Sequence, residues 1–171
     1  MTVNLADVIR DEVWQSVVER MQNPGRTQGL STGIPAVDRL TGGVRPGQLI
    51  TVISDTGTGK SFLVNALARS AAQAGHGVFF WSTEMGRTEV GERHVWSSAG
   101  VNPSTYLMAE QFPQFLQDRV LSVMEGMLAE WAHLVWINDL ATPPLSVLSA
   151  ETRRLHMRSG LGLLVVDGIQ R

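Results

Sequence analysis

At 171 residues the chain is long enough for one ordinary domain with its own core and too short for two comfortable ones. Its 43% apolar and 18% charged residues exclude a disordered chain, and a net charge of −2 gives no footprint of a nucleic-acid or anionic-membrane partner. With no cysteine there is no disulfide framework or thiolate metal site, Asp7, Asp11 and Glu12 rule out a secretory signal, and no apolar run approaches the roughly 18 residues of a membrane span. A soluble, cytoplasmic protein without membrane attachment is the expectation.

Taken in chain order, the first element is a helix over residues 4–21, where Leu5, Val8, Ile9, Val13, Trp14, Val17, Val18 and Met21 recur at three- and four-residue steps. Asn4 is its expected N-cap, with Asp7 in the first turn. A polar linker, 22-QNPGRTQG-29, follows, so the helix's apolar face must be buried either on its own domain or on a neighbouring subunit. Beyond it come four continuous apolar runs, 49-LITVI-53, 78-VFFW-81, 134-LVWI-137 and 161-LGLLVV-166, as expected for strands covered on both faces of a parallel sheet. Helical patterns lie between them, over 60–74 (closed by Gly75), 86–98, 111–131 and 145–158. Strands alternating with helices predict an α/β domain with a mostly parallel sheet.

The stretch 53-ISDTGTGKSFLV-64 places a glycine-rich loop between a predicted strand and a predicted helix. In that setting the N–H groups of Ser54, Asp55, Thr56, Gly57, Thr58 and Gly59 converge on an anion, helped by the positive end of the helix dipole. Lys60 would reach the β- and γ-phosphates of ATP, and the Ser61 hydroxyl would bind Mg²⁺. Ser54 stands where the generic motif has its first glycine, a small substitution that need not close the site.

Asp167, directly after the last apolar run, is placed to hold the Mg²⁺ shell, or else to cap a turn. Glu84, ending 78-VFFWSTEM-85, is either a general base that polarises water toward the γ-phosphate or an ordinary exposed glutamate. Gln170 either senses the γ-phosphate or is solvated. His76, His94, His133 and His156 lack metal-ligand spacing, while Met108, Met124 and Met127 read as packing residues. Arg153, Arg154 and Arg158 give a predicted helix a solvated basic edge.

With these residues placed, the chain resembles the RecA-like ATPase domain of DnaB-type replicative helicases. The segment 5-LADVIRDEVWQSVVERM-21 resembles that family's linker helix, which docks on the adjacent subunit of a ring. The stretch 30-LSTGIPAVDRLTGGVRPGQLITVIS-54 is similar to the family's approach to its phosphate loop. In the same way, 79-FFWSTEM-85 resembles the strand carrying the catalytic glutamate, and 163-LLVVDGIQ-170 the Walker B strand with its following glutamine. The resemblance implies that residues 1–28 are a linker helix and linker, and that 29–171 form a partial RecA-like P-loop core, incomplete at its C-terminus. It makes Glu84 and Lys60 the catalytic pair, with ATP and Mg²⁺ as cofactors, and Gln170 a coupling residue between nucleotide and DNA. A complete homologue would form a hexameric homo-oligomeric ring around single-stranded DNA. In RecA-like topology a further strand, expected beyond Arg171, lies between the loop strand and the Walker B strand. Two other readings stand beside it: a RecA/KaiC-like ATPase without unwinding activity, and a non-catalytic nucleotide-binding remnant.

Overall fold

The computed structural model describes residues 4–24, 29–55, 57–104, 111–142 and 144–168. Its first element is one continuous helical rod made of α1 (Leu5–Val8), a π-helical turn (Ile9–Val13) and α2 (Trp14–Gln22). Asn4 caps it as expected, its side-chain oxygen accepting from the Ala6 N–H at 2.9 Å. None of the rod's residues is buried; Leu5, Trp14 and Met21 are 70%, 68% and 76% exposed, so no described residue of the chain's own domain covers the apolar face.

A short helix that periodicity does not announce, α3 (Pro35–Thr41), starts with proline at its first turn, where the missing N–H costs nothing. It is anchored by Asp38. Its carboxylate accepts from the Ser31 hydroxyl (2.6 Å), the Thr32 N–H (2.8 Å) and the Thr32 hydroxyl (2.7 Å). Partial burial works against ionisation, but these three donors outweigh it and hold the Asp38 carboxyl below its ordinary range.

The sheet has three parallel strands in the order β2-β1-β3, with β1 at Gly77–Ser82, β2 at Val135–Asn138 and β3 at Leu161–Asp167. All six residues of β1 are buried, as its continuous apolar run predicts. The two-residue period of a strand sends Val78 and Phe80 to one face and Phe79 and Trp81 to the other. On the first face α4 (Lys60–Gln73) and α5 (Arg87–Ala99) pack through Ala68, Ala71, Ala72 and Val90, joined by Trp131. The alanines on α4 let its backbone lie close to the sheet. On the second face α7 (Leu145–Ser159) packs through Leu155 and Leu148. A satellite cluster of Ala99, Val101 and Val120 joins α5 to α6 (Gln114–Glu130).

Three expectations need correction. Leu134 belongs to a short 3-10 turn, Ala132–Leu134, and the strand begins after it. Met124 is 40% exposed on α6, whereas Met127 does pack against the core; Met108 lies outside the described residues. The larger correction concerns 49–53, which forms no strand: Leu49 and Ile53 are 93% and 87% exposed. A strand needs a ladder partner for its N–H and C=O groups, whatever its side-chain propensity. RecA-like topology puts such a partner between this segment and β3, and no described residue supplies it.

Candidate active site

The phosphate-type loop is built as its composition demands. Gly57 and Gly59 adopt φ of 81° and 102°, a left-handed region that residues with a β-carbon avoid, and Gly59 leads directly into α4. Within the loop the Thr58 hydroxyl donates to the Asp55 carbonyl at 2.7 Å and lies 2.5 Å from the Ser54 hydroxyl. Ser54, standing where the generic motif has its first glycine, thus braces the loop. The Lys60 ammonium donates to the carbonyls of Ser54 and Asp55, which keeps the charge over its own loop. Thr56 lies outside the described residues.

Topology decides which end of the sheet this loop faces. A 14-residue helix rises about 21 Å and a six-residue strand about 20 Å. Because α4 turns back through residues 74–76 into β1, the two run antiparallel, and Lys60 lies toward the end where β1 finishes at Ser82. That is the carboxyl end of the strands, where open α/β sheets gather their ligands.

The two acids meet at this same end. Ser82 is in register with Asp167 across the β1–β3 ladder, so Glu84 leaves one strand just where Asp167 ends the next. The turn holding Glu84 is fastened from both sides. Buried Ser82 accepts from the Met85 N–H at 3.0 Å, while Thr83 donates its N–H to the Asp167 carbonyl at 2.9 Å. Glu84 is exposed, whereas the Asp167 Oδ2 is buried with no hydrogen-bond partner among the described residues.

An orphaned carboxylate oxygen is costly unless something positive or a donor meets it. Ser61, at the head of α4, is a second hard oxygen toward the same end of the sheet, and oxygens of this kind suit Mg²⁺. Among the described residues no group of three or more acidic or histidine side chains could hold a metal by itself. Such a cation would therefore draw its remaining ligands from water and phosphate, as Mg²⁺ ordinarily does. Gln170 lies outside the described residues.

Further residues escaped the sequence reading. Asp139, at the end of β2, accepts from both the backbone N–H and the side chain of Arg87, at 3.1 and 3.2 Å. The Arg87 N–H foremost, and then its guanidinium, hold the Asp139 carboxyl below its ordinary value, and the pair ties β2 to the start of α5. Thr83 and Gly168 were also missed. Their signal was modest: a hydroxyl residue directly before a strand-end glutamate and a glycine directly after a strand-end aspartate.

A model of the DnaB-like helicase C-terminal domain matches residues 29–171. The replicative DNA helicase DnaB of Leifsonia xyli subsp. xyli is 31% identical over 147 residues, covering 85% of this chain and 31% of that protein. DnaB of Geobacillus stearothermophilus is 27% identical over 155 residues, covering 90% of this chain and 33% of its own length. The chain thus spans about a third of the curated relatives it matches. Among solved structures, one described as an ATPase domain superposes with a TM-score of 0.77 at 18% identity, covering 94% of this chain and 57% of that one. A DnaB-like replicative helicase studied for its interactions with primase gives 0.74 at 20% identity, covering 92% and 38%. The fold is the RecA-like fold of those ATPase domains, and the chain belongs to the DnaB-like helicase C-terminal domain family.

Proposed function

We propose that the chain carries the ATP-binding and ATP-hydrolysing site of a DnaB-like replicative DNA helicase, with residues 1–28 as linker and 29–171 as part of the ATPase domain. The observation that carries this reading is the convergence of Glu84 and Asp167 on adjacent strand ends, at the end of the sheet toward which α4 and its loop point. Backbone N–H groups of residues 54–59 and the Lys60 ammonium bind the β- and γ-phosphates and offset the charge that builds on them. Ser61 and Asp167 would hold Mg²⁺, which when bound would supply positive charge against the phosphates. Glu84 accepts a proton from a water as its oxygen attacks the γ-phosphorus; the bond to the β-phosphate oxygen breaks, leaving ADP and phosphate. Gln170 follows the γ-phosphate and passes its presence toward DNA.

The exposed apolar face of the N-terminal rod supports a ring. Leu5, Ile9, Trp14 and Met21 are exposed among the described residues, and docking on a neighbouring copy would bury them. A head-to-tail contact of this kind closes into a cyclic oligomer, here a hexamer around single-stranded DNA. The relatives named as replicative DNA helicases support DNA as the partner.

Nucleotide binding and turnover separate the roles. Lys60→Ala should abolish binding of Mg-ATP, measured by calorimetry, whereas Glu84→Gln should bind as the parent does and hydrolyse at least about a hundredfold more slowly. Equal ATP affinity in the parent and Lys60→Ala would overturn the proposal.

A further inference from the structure

We infer that Thr83 is a positioning residue: its side chain clasps the end of β3 and thereby fixes Glu84 beside Asp167. Three observations carry it. The Thr83 N–H donates to the Asp167 carbonyl at 2.9 Å, extending the β1–β3 ladder one residue beyond the strand end. Its Oγ1 lies 3.1 Å from the same carbonyl and 2.5 Å from the Gly168 carbonyl, so the single hydroxyl proton is shared by two acceptors on the facing chain. Finally, Gly168 has φ of 92°, and a β-carbon there would stand 2.5 Å from Thr83 Oγ1 and 2.6 Å from Glu84 Cγ. The glycine is what lets the threonine and the glutamate lie against the chain that follows Asp167.

The consequence is directional. Ladder pairing alone fixes the backbone through Ser82, and Glu84 stands two residues past it on an exposed turn. Hydrogen bonds from residue 83 to both residues 167 and 168 remove the hinge between the two strand ends. A general base must stay within hydrogen-bond reach of the water it activates, and displacement by about 1 Å can cost about a hundredfold in rate. A threonine without a proton-transfer role of its own can therefore set how well Glu84 works.

The inference rests on the reading of Glu84 as the base, and the experiment keeps the two apart. The 171-residue chain is compared with Thr83→Val, which keeps the shape and removes the hydroxyl, and with Thr83→Ser, which keeps the hydroxyl. Thr83→Ala replaces the valine variant should the second methyl disturb folding. The readout independent of turnover is NMR: the exchange rate of the residue 83 amide, and the Glu84 side-chain carbon signals. Loss of the hydroxyl should speed that exchange by about tenfold and broaden or shift the Glu84 signals, and Thr83→Ser should restore both. In hydrolysis, Thr83→Val should lower kcat by about tenfold or more with KM for ATP within about twofold. Unchanged exchange and unchanged Glu84 signals in Thr83→Val would overturn the clasp, and loosened Glu84 signals with unchanged kcat would overturn its importance for turnover. If Glu84→Gln hydrolyses as fast as the parent, the reading of Glu84 as base fails instead, and the NMR result alone judges the clasp.

Discussion

The two halves of the candidate site are held in opposite ways. The acid half grows out of β1, every residue of which is buried between helices on both faces, and its carboxylates sit where two paired strands end. The loop half follows residues 49–53, equally apolar in sequence, yet exposed and without a ladder. Similar side chains thus yield a core strand in one place and an uncovered segment in the other. What separates them is neighbours: β1 has a strand on each side, and 49–53 has none among the described residues. On the loop side, order comes from polar contacts within short stretches, such as Thr58 to Asp55 and Ser31 and Thr32 to Asp38.

The sharpest way to expose that contrast is to remove the centre of the sheet. Trp81 is fully buried, meets Phe79 at a ring distance of 5.5 Å and donates its indole N–H to the Leu140 carbonyl at 2.9 Å. Trp81→Ala should cost about 3–5 kcal/mol, from the cavity and the carbonyl left without its donor. Urea unfolding followed by far-UV circular dichroism measures it; a loss below about 1 kcal/mol would mean that β1 is not the centre of the core.

Acid should attack the same half. His94 on α5 is buried between Phe80 and Trp131, its Nε2 without a hydrogen-bond partner among the described residues. Burial, and then the charge of Arg69, push its pKa down to about 4. The folded state therefore keeps the imidazole neutral while the unfolded chain protonates it near 6.5. Stability from this group is complete above the unfolded value, falls as pH drops from about 6.5 to about 4, and changes no further below that. The total loss is on the order of 3 kcal/mol. Unfolding midpoints measured across that range should slope in the parent and flatten in His94→Phe, which cannot titrate. Parallel slopes in the two proteins would remove His94 as the cause.

On the loop side the effects should be smaller and polar in origin. Asp38→Ala leaves the Thr32 N–H, in a residue only 5% exposed, without its acceptor and frees the Ser31 and Thr32 hydroxyls. A loss of about 1–3 kcal/mol is expected by thermal unfolding, with α3 released from residues 29–33.

This contrast also explains what the sequence could announce. The helices at 60–74, 86–98, 111–131 and 145–158 were legible because each carries a periodic apolar face that the sheet or, for 111–131, the neighbouring helix α5 covers, and β1 because a continuous apolar run needs cover on both sides. Short α3 has too few residues for a period to show; its proline start and the Asp38 network, contacts across six and seven residues, define it instead. The segment 49–53 misled for a related reason: composition reports strand propensity, whereas a strand forms only with a partner. Of the site, the loop, Glu84 and Asp167 could be placed from motif and strand ends. Thr83 and Gly168 could not, because their meaning depends on the register that brings residue 82 opposite residue 167.

The smallest expected effect tests the comparison most directly. Ile53 is 87% exposed, so Ile53→Ser removes little buried area and should change stability by no more than about 0.5 kcal/mol. The equally conservative-looking Val78→Ser, at a fully buried position of β1, should cost several times that, since it also buries a hydroxyl. Urea titrations of the pair in the 171-residue chain read the difference. If Ile53→Ser instead costs more than about 1 kcal/mol, the segment is covered in solution, and the loop half is held by apolar packing as the acid half is. If it costs nothing, residues 49–53 contribute apolar surface without contributing stability, and the loop at 54–59 keeps its shape through its own hydrogen bonds and the head of α4.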